Sequence, residues 1–298
     1  MMLSQSGYRN ISVSTDQILI AGCGDIGGQL GKLLIAQGHQ VFGLRRNINQ
    51  LPSGIQGINA DLGQPDTLSA LPQQTDTVFY IVAAGGREEQ RYRQAYPEGL
   101  NNLLTAFKKQ NIRPRQLFFI SSTAVYNQHN HEWIDENSVT EPDSFAGQIT
   151  LEAEQVALNS GIPATVVRFS GIYGPGRNML LNQVMQGKGY PAEPLRYSNR
   201  IHRDDCVGVL MHLYQRSKEQ PLQPVYLASD SEPVPLHEVA DWLAQKLNSH
   251  ISDRTSRRAI GSKRCNNQQL SDSGYQFIYP GYQQGYPDLI RAFLADID

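Results

Sequence analysis

Seven short runs are predominantly apolar: Ile18-Leu19-Ile20-Ala21, Val41-Phe42-Gly43-Leu44, Ile58-Asn59-Ala60, Val78-Phe79-Tyr80-Ile81-Val82, Leu117-Phe118-Phe119-Ile120, Thr165-Val166-Val167-Arg168 and Val225-Tyr226-Leu227. Stretches with helical spacing separate most of them, at 25–37, 95–110, 147–160 and 204–217. A strand covered on both faces loses the polar alternation of a half-exposed one, and parallel strands joined by crossover helices are covered on both faces. The pattern predicts a doubly wound α/β sheet. After residue 228 it changes to an amphipathic helix, Leu236–Leu247, then a basic, polar stretch and the segment GYQFIYPGYQQGY. The expected organisation is an N-terminal extension, 1–16; a sheet domain, 17–170, to which 206–229 return; and a smaller lobe from 171–205 and 230–298. In such folds the ligand lies beyond the carboxyl ends of the strands, here in the crevice between the two lobes.

Composition narrows the classes. With 40% hydrophobic and 18% charged residues and a formal net charge of −2, the chain offers no basic footprint for nucleic acid and no polybasic run for a membrane surface. No stretch reaches the roughly 18 apolar residues of a membrane span, and the polar first sixteen residues lack the apolar core of a signal peptide. Cys23, Cys206 and Cys265 are too far apart for a zinc motif or a disulfide framework, so a reducing compartment, the cytoplasm, is expected.

The first strand runs into Gly22-Cys23-Gly24-Asp25-Ile26-Gly27, a G-x-G-x-x-G opening a helix. In a strand–turn–helix–strand context this is a dinucleotide fingerprint, and it makes the sheet Rossmann-type. Gly22 permits the tight turn, Gly24 the approach of a pyrophosphate and Gly27 close packing of helix on strand, while the phosphates meet the free N–H groups of the helix. At the end of the second strand, an acid would hold the ribose of NAD and an arginine the 2′-phosphate of NADP. The chain reads Leu44-Arg45-Arg46, which favours NADP, with NAD as the alternative. Asp61, after the third strand, suits either the adenine or a helix N-cap. Leu62, Ala83, Ala84 and Ser121 complete the residues expected at the cofactor.

These motifs, with Ala60-Asp61-Leu62, Phe119–Tyr126, Arg168–Gly176 (RFSGIYGPG) and Ile201-His202-Arg203-Asp204-Asp205, resemble the extended short-chain dehydrogenase/reductases, the NAD(P)-dependent epimerase/dehydratase group, over nearly the whole chain. The resemblance implies a nucleotide-sugar-like substrate and a homodimer through helices 95–110 and 147–160. It also implies hydride transfer assisted by a Tyr-x-x-x-Lys pair and a hydroxyl on the reacting oxygen. Ser122 occupies the hydroxyl position. The Tyr and Lys positions read Ala146 and Thr150, and no Tyr lies between Tyr126 and Tyr173 to replace them. Tyr96 stands where the family has an asparagine. A Tyr-x-x-x-Lys does occur at Tyr214–Lys218, but beyond the sixth strand, where it reads as a helix end.

Tyr126, Tyr173 and His202 remain as ionisable candidates on the crevice side, each equally readable as a packing residue with one satisfied polar tip. Arg177 and Arg200 suit a substrate phosphate or carboxylate. His129, His131 and Glu132 form a short polar loop from which no metal is expected. Two readings stand: an NADP-preferring reductase-like or epimerase-like enzyme using Ser122 and another proton donor, or a non-catalytic NAD(P)-binding sensor or structural partner.

Overall fold

The computed structural model describes residues 15–255 and 262–296, so the expected N-terminal extension lies outside the described residues except for Thr15 and Asp16. Seven parallel strands form the central sheet: β1 (Gln17–Ala21), β2 (Gln40–Arg45), β3 (Gln56–Asn59), β4 (Thr77–Tyr80), β5 (Gln116–Ser122), β7 (Ala164–Phe169) and β11 (Val225–Ala228). Their spatial order is β11-β7-β5-β4-β1-β2-β3. This is the Rossmann-like α/β arrangement read from the seven apolar runs. The order reverses between β1 and β4, and that reversal opens a crevice at their carboxyl ends.

The two faces have separate cores, and successive residues of one strand feed opposite ones. Ile18, Ile20, Phe79, Phe118 and Ile120 pack under α1 (Asp25–Ala36) and α6 (Arg203–Ser217). Leu19, Ala21, Val78, Tyr80, Leu117 and Phe119 pack under α3 (Gly99–Lys109) and α4 (Phe145–Leu158). Stacked rings reinforce both layers, Phe79 on Phe118 at 4.8 Å and Tyr80 on Phe119 at 5.7 Å. A short helix, α2 (Glu89–Arg93), precedes α3, and between them Gln94–Glu98 widens into a π turn around Pro97. Proline lacks the amide of the regular ladder and its ring crowds the preceding turn, which a widened turn accommodates.

Beyond the carboxyl edge, β8 (Gly171–Tyr173) pairs with β10 (Arg200–His202), and β9 (Tyr197–Ser198) with β12 (Val234–Pro235). A third core joins α5 (Met179–Met185), α7 (Leu236–Lys246) and α9 (Tyr282–Ala295) through Leu181, Val184, Val239, Leu243, Tyr286 and Ile290. The parallel pair β6 (Asn130–Ile134) and β13 (Ser262–Cys265) flanks the sheet, and α8 (Gln268–Asp272) leans on β11. Among the described residues, no helix is long and apolar enough to cross a membrane.

Candidate functional site

The turn after β1 shows what each glycine does. Gly22 has φ +83, and a Cβ there would overlap the Ile81 carbonyl at the end of β4. Only glycine takes that conformation without strain and fits that gap. Its amide donates to the Leu44 carbonyl at 3.0 Å, so β2 also fixes the turn. A Cβ on Gly27 would come within 2.9 Å of Ile20, where α1 presses on the sheet. Gly24 faces open space apart from the Gly22 carbonyl at 3.9 Å, and as N-cap of α1 it has no side chain to occupy the helix's first amides. An uncapped helix start behind an open glycine is an anion-receiving geometry.

Around this turn stand the other expected cofactor residues. Arg45 donates to the Cys23 carbonyl at 3.2 Å and to Gln50 Oε1 at 2.5 Å, bracing the turn from β2, while Arg46 beside it is exposed. Asp61 closes a local turn, its Oδ1 accepting from the Gly63 amide at 2.9 Å. The Leu62 carbonyl accepts from Asn102 of α3 at 2.8 Å. Ala83 is exposed and Ala84 half-buried after β4, and Ile26 is buried inside α1. Asp25 is less free than its position suggests: Arg177 donates to it at 2.5 Å and Arg203 at 3.4 Å, both from beyond β7. Arg177, expected at the substrate, therefore reaches the glycine turn.

At the end of β5, Ser121 and Ser122 face different partners. Ser121 donates to Glu154 Oε1 at 2.5 Å, and Arg168 grips the same carboxylate with Nε at 2.9 Å and Nη2 at 2.6 Å. Arg168 also donates to the Tyr126 hydroxyl at 2.8 Å, and that hydroxyl donates to the Asp135 carbonyl at 2.8 Å. Ser121, Glu154, Arg168 and Tyr126 thus form one buried, satisfied network. Burial drives the Tyr126 phenol well above the ordinary tyrosine range even against Arg168, and its proton already has an acceptor. Ser122 is half-buried, with its Oγ accepting from the Ala124 amide at 3.2 Å.

Helix α4 abuts the turn capped by Ser122, because Gly147 lies against the Ala124 carbonyl where a Cβ would not fit. Its first turns carry Ala146 and Thr150, and the Thr150 hydroxyl turns back to the Ala146 carbonyl at 2.7 Å. Neither side chain brings a titratable proton to this place. Tyr96, in the π turn, sits 5.6 Å from Tyr92, and burial pushes its phenol up to about 12.

Beyond the carboxyl edge of the sheet His202 is 2% exposed, with Nδ1 accepting from the Asp204 amide at 3.2 Å as the N-cap of α6. Its ring lies 4.1 Å from that of Tyr279, and burial lowers its pKa against the opposing pull of Asp204 and Asp205. Tyr173 stacks on Tyr286 at 4.8 Å, and burial lifts its phenol far above the usual range. Arg200 is 4% exposed with its guanidinium 5.5 Å over the Tyr282 ring.

Two motifs fall elsewhere. Tyr214 donates to Asp16 at 2.8 Å and Lys218 pairs with the same carboxylate, at the amino edge of the sheet just before β1. His131 meets the Leu195 carbonyl at 2.8 Å, and Glu132 accepts from the Asn130 amide. Among the described residues, no group of His, Cys, Asp and Glu is placed to hold a metal.

Three comparisons bear on this site. Residues 18–188 match the profile of the NAD dependent epimerase/dehydratase family. A protein from Methylobacillus flagellatus, assigned to the NAD-dependent epimerase/dehydratase group, is 36% identical with a TM-score of 0.79, covering 94% of this chain and 100% of that one. MoeE5, solved with UDP-glucose and NAD, has the same fold at 22% identity, with a TM-score of 0.76 over 95% of this chain and 100% of its own. Among curated proteins, methionine adenosyltransferase 2 subunit beta of Mus musculus is 24% identical over 60% of this chain, a match that spans only 58% of that relative's length.

Proposed function

This chain belongs to the NAD-dependent epimerase/dehydratase family, and on that premise we propose that it binds NAD(P) across the carboxyl ends of β1, β2 and β4. The lobe of residues 171–205 and 230–298 then holds a nucleotide-sugar-like substrate. The observation that carries the cofactor reading is the glycine turn, closed by packing at Gly22 and Gly27 and open at Gly24 before an uncapped helix. A pyrophosphate is the group such an array of amides receives. Bound there, the dinucleotide supplies hydride chemistry at its nicotinamide.

NADP preference is the finer part of the reading. It rests on Arg45 and Arg46 at the end of β2, where guanidiniums suit a 2′-phosphate and no carboxylate competes. Titrating the protein calorimetrically with NADPH and NADH tests it. We expect NADPH to bind more tightly, and Arg45→Ala to weaken NADPH roughly tenfold more than NADH, the worth of one charge-assisted contact. Equal affinities for the two cofactors would leave a family-typical NAD site.

For turnover, Ser122 is the group suited to orient a substrate oxygen. With Ala146 and Thr150 in place of the family's pair, catalysis would rest on positioning and an external or unconventional proton donor. The second reading, a cofactor-binding sensor or subunit without turnover, draws on two observations. The Thr150 and Tyr126 hydroxyls are both engaged internally, and the curated relative is a subunit by name. Two readouts separate the readings when NADP-loaded protein is mixed with UDP-glucose: a rise in nicotinamide absorbance or a new sugar isomer resolved by chromatography supports the enzyme, and neither across a panel of nucleotide sugars supports the subunit. Cytoplasmic residence, supported by three free buried cysteines, and a homodimer through α3 and α4 belong to the same proposal. Sedimentation checks the dimer.

A further inference from the structure

Where β8, β10 and α9 meet, polar atoms are buried without hydrogen bonds. Arg200 is 4% and Asp230 1% exposed, yet neither Nη of Arg200 nor the Tyr173 hydroxyl has a hydrogen-bond partner, and the Asp230 carboxyl has the Glu232 amide beside it but no bond of normal geometry. The backbones carrying them are fixed, since the Asp230 amide donates to the Arg200 carbonyl at 2.7 Å. Leaving such groups unpaired is costly, and a fold retains that cost where a ligand supplies the partners.

The character of the groups says what kind of partner. Arg200 brings donors, Asp230 acceptors and Tyr173 one of each. The charge nearby is one guanidinium against the carboxylates of Asp205 and Glu232, with burial holding Asp230 toward its neutral acid, so a phosphate or carboxylate would meet net repulsion. Vicinal hydroxyls match, because each can accept from a guanidinium and donate to a carboxyl oxygen at once. An aromatic wall completes the arrangement: Tyr286 stacks on Tyr173 at 4.8 Å and Tyr282 lies 5.5 Å under Arg200. Ring faces of this kind take the C–H surface of a sugar.

We propose that Tyr173, Arg200 and Asp230 form a subsite for the vicinal hydroxyls of a neutral sugar ring, walled by Tyr282 and Tyr286 of α9. This rests on the reading of the chain as a nucleotide-sugar-binding protein. The tyrosines cover the polar atoms, so a ring that reaches them must displace the Tyr282 and Tyr286 side chains.

The test is calorimetric titration of the cofactor-loaded full chain with UDP-glucose, UDP and inorganic phosphate. UDP-glucose should bind at least roughly tenfold more tightly than UDP, and Arg200→Met, Asp230→Asn and Tyr173→Phe should each remove about that preference while leaving UDP and cofactor affinity unchanged. If Arg200→Met does not fold, Tyr173→Phe, which deletes a single oxygen, carries the test. Unchanged preference in the folded variants, or equal binding of UDP and UDP-glucose, overturns the subsite alone. Phosphate binding that Arg200→Met abolishes replaces it with an anion site. No binding of either nucleotide by the wild-type protein removes the substrate reading and the subsite together, while the cofactor site stands or falls on its own titration.

Discussion

Gly22 and Gly24, two residues apart, should fail in different ways. Gly22→Ala forces a Cβ into the Ile81 carbonyl at φ +83, a strain on the order of 1–3 kcal/mol before any repacking, so melting temperature and cofactor affinity should fall together. Gly24→Ala meets no atom nearer than the Gly22 carbonyl at 3.9 Å. Its melting should stay close to wild type while NADPH binding weakens, because the methyl group stands where the pyrophosphate approaches. Melting and titration of both variants check the contrast, and a Gly24→Ala protein that binds normally would move the phosphates elsewhere. Asp25 is a third case at the same turn. Its pairing with Arg177 and Arg203 sets a carboxylate beside the position proposed for the diphosphate, so Asp25→Asn should tighten cofactor binding at low salt and less so at high salt.

Among the elements, α4 and β7 are joined by the pair of Glu154 and Arg168, 1% and 6% exposed in their side chains and 2.6 Å apart. Glu154→Ala leaves a buried guanidinium without its counter-ion and should cost about 3–5 kcal/mol, read as a shift in the urea midpoint with little change in slope. Glu154→Gln should cost less, since it keeps an acceptor for Ser121 and Arg168. The inner strands were legible because burial on both faces leaves nearly unbroken apolar runs, and all seven runs, the exposed edge strand β3 included, became strands within two residues of their expected ends. The turn was legible because its glycines are local. The Glu154 network was not, because the chain shows a helix residue and a strand residue with no mark that they meet. Arg177 had its partner 152 residues away, and the absence of any proton donor at Ala146 said nothing of how Tyr126 would be held. Local spacing reveals backbone geometry, whereas charge pairing depends on the finished packing.

Over the whole molecule, stability should be bounded by pH on both sides. Burial lowers His39, His202 and His212 from their ordinary 6.5, so the unfolded chain binds these protons more readily. Stability is full above that value and falls as pH drops through it toward the folded values. Burial raises Asp230 to about 8 from 3.8, so its contribution opposes folding increasingly as pH rises from 3.8 through 8. Chemical denaturation across pH should therefore show Asp230→Asn gaining on wild type toward alkaline pH, and His202→Asn, which keeps an N-cap acceptor, flattening the acid side. A wild-type profile level from pH 5 to 9 would contradict both shifts. At the amino edge, Asp16, 1% exposed, draws together Tyr214, Lys218 and Arg115. Tyr214→Phe should cost about 1 kcal/mol without touching cofactor affinity, because the strands separate that clasp from the turn. Such a division gives the amino end of the sheet an ionic anchor of its own, set apart from the glycine turn at the carboxyl end. Substitutions at the crevice, of which Ala146 and Thr150 are examples of small side chains satisfied within their own helix, can then change what is bound there without loosening the anchored end of the scaffold.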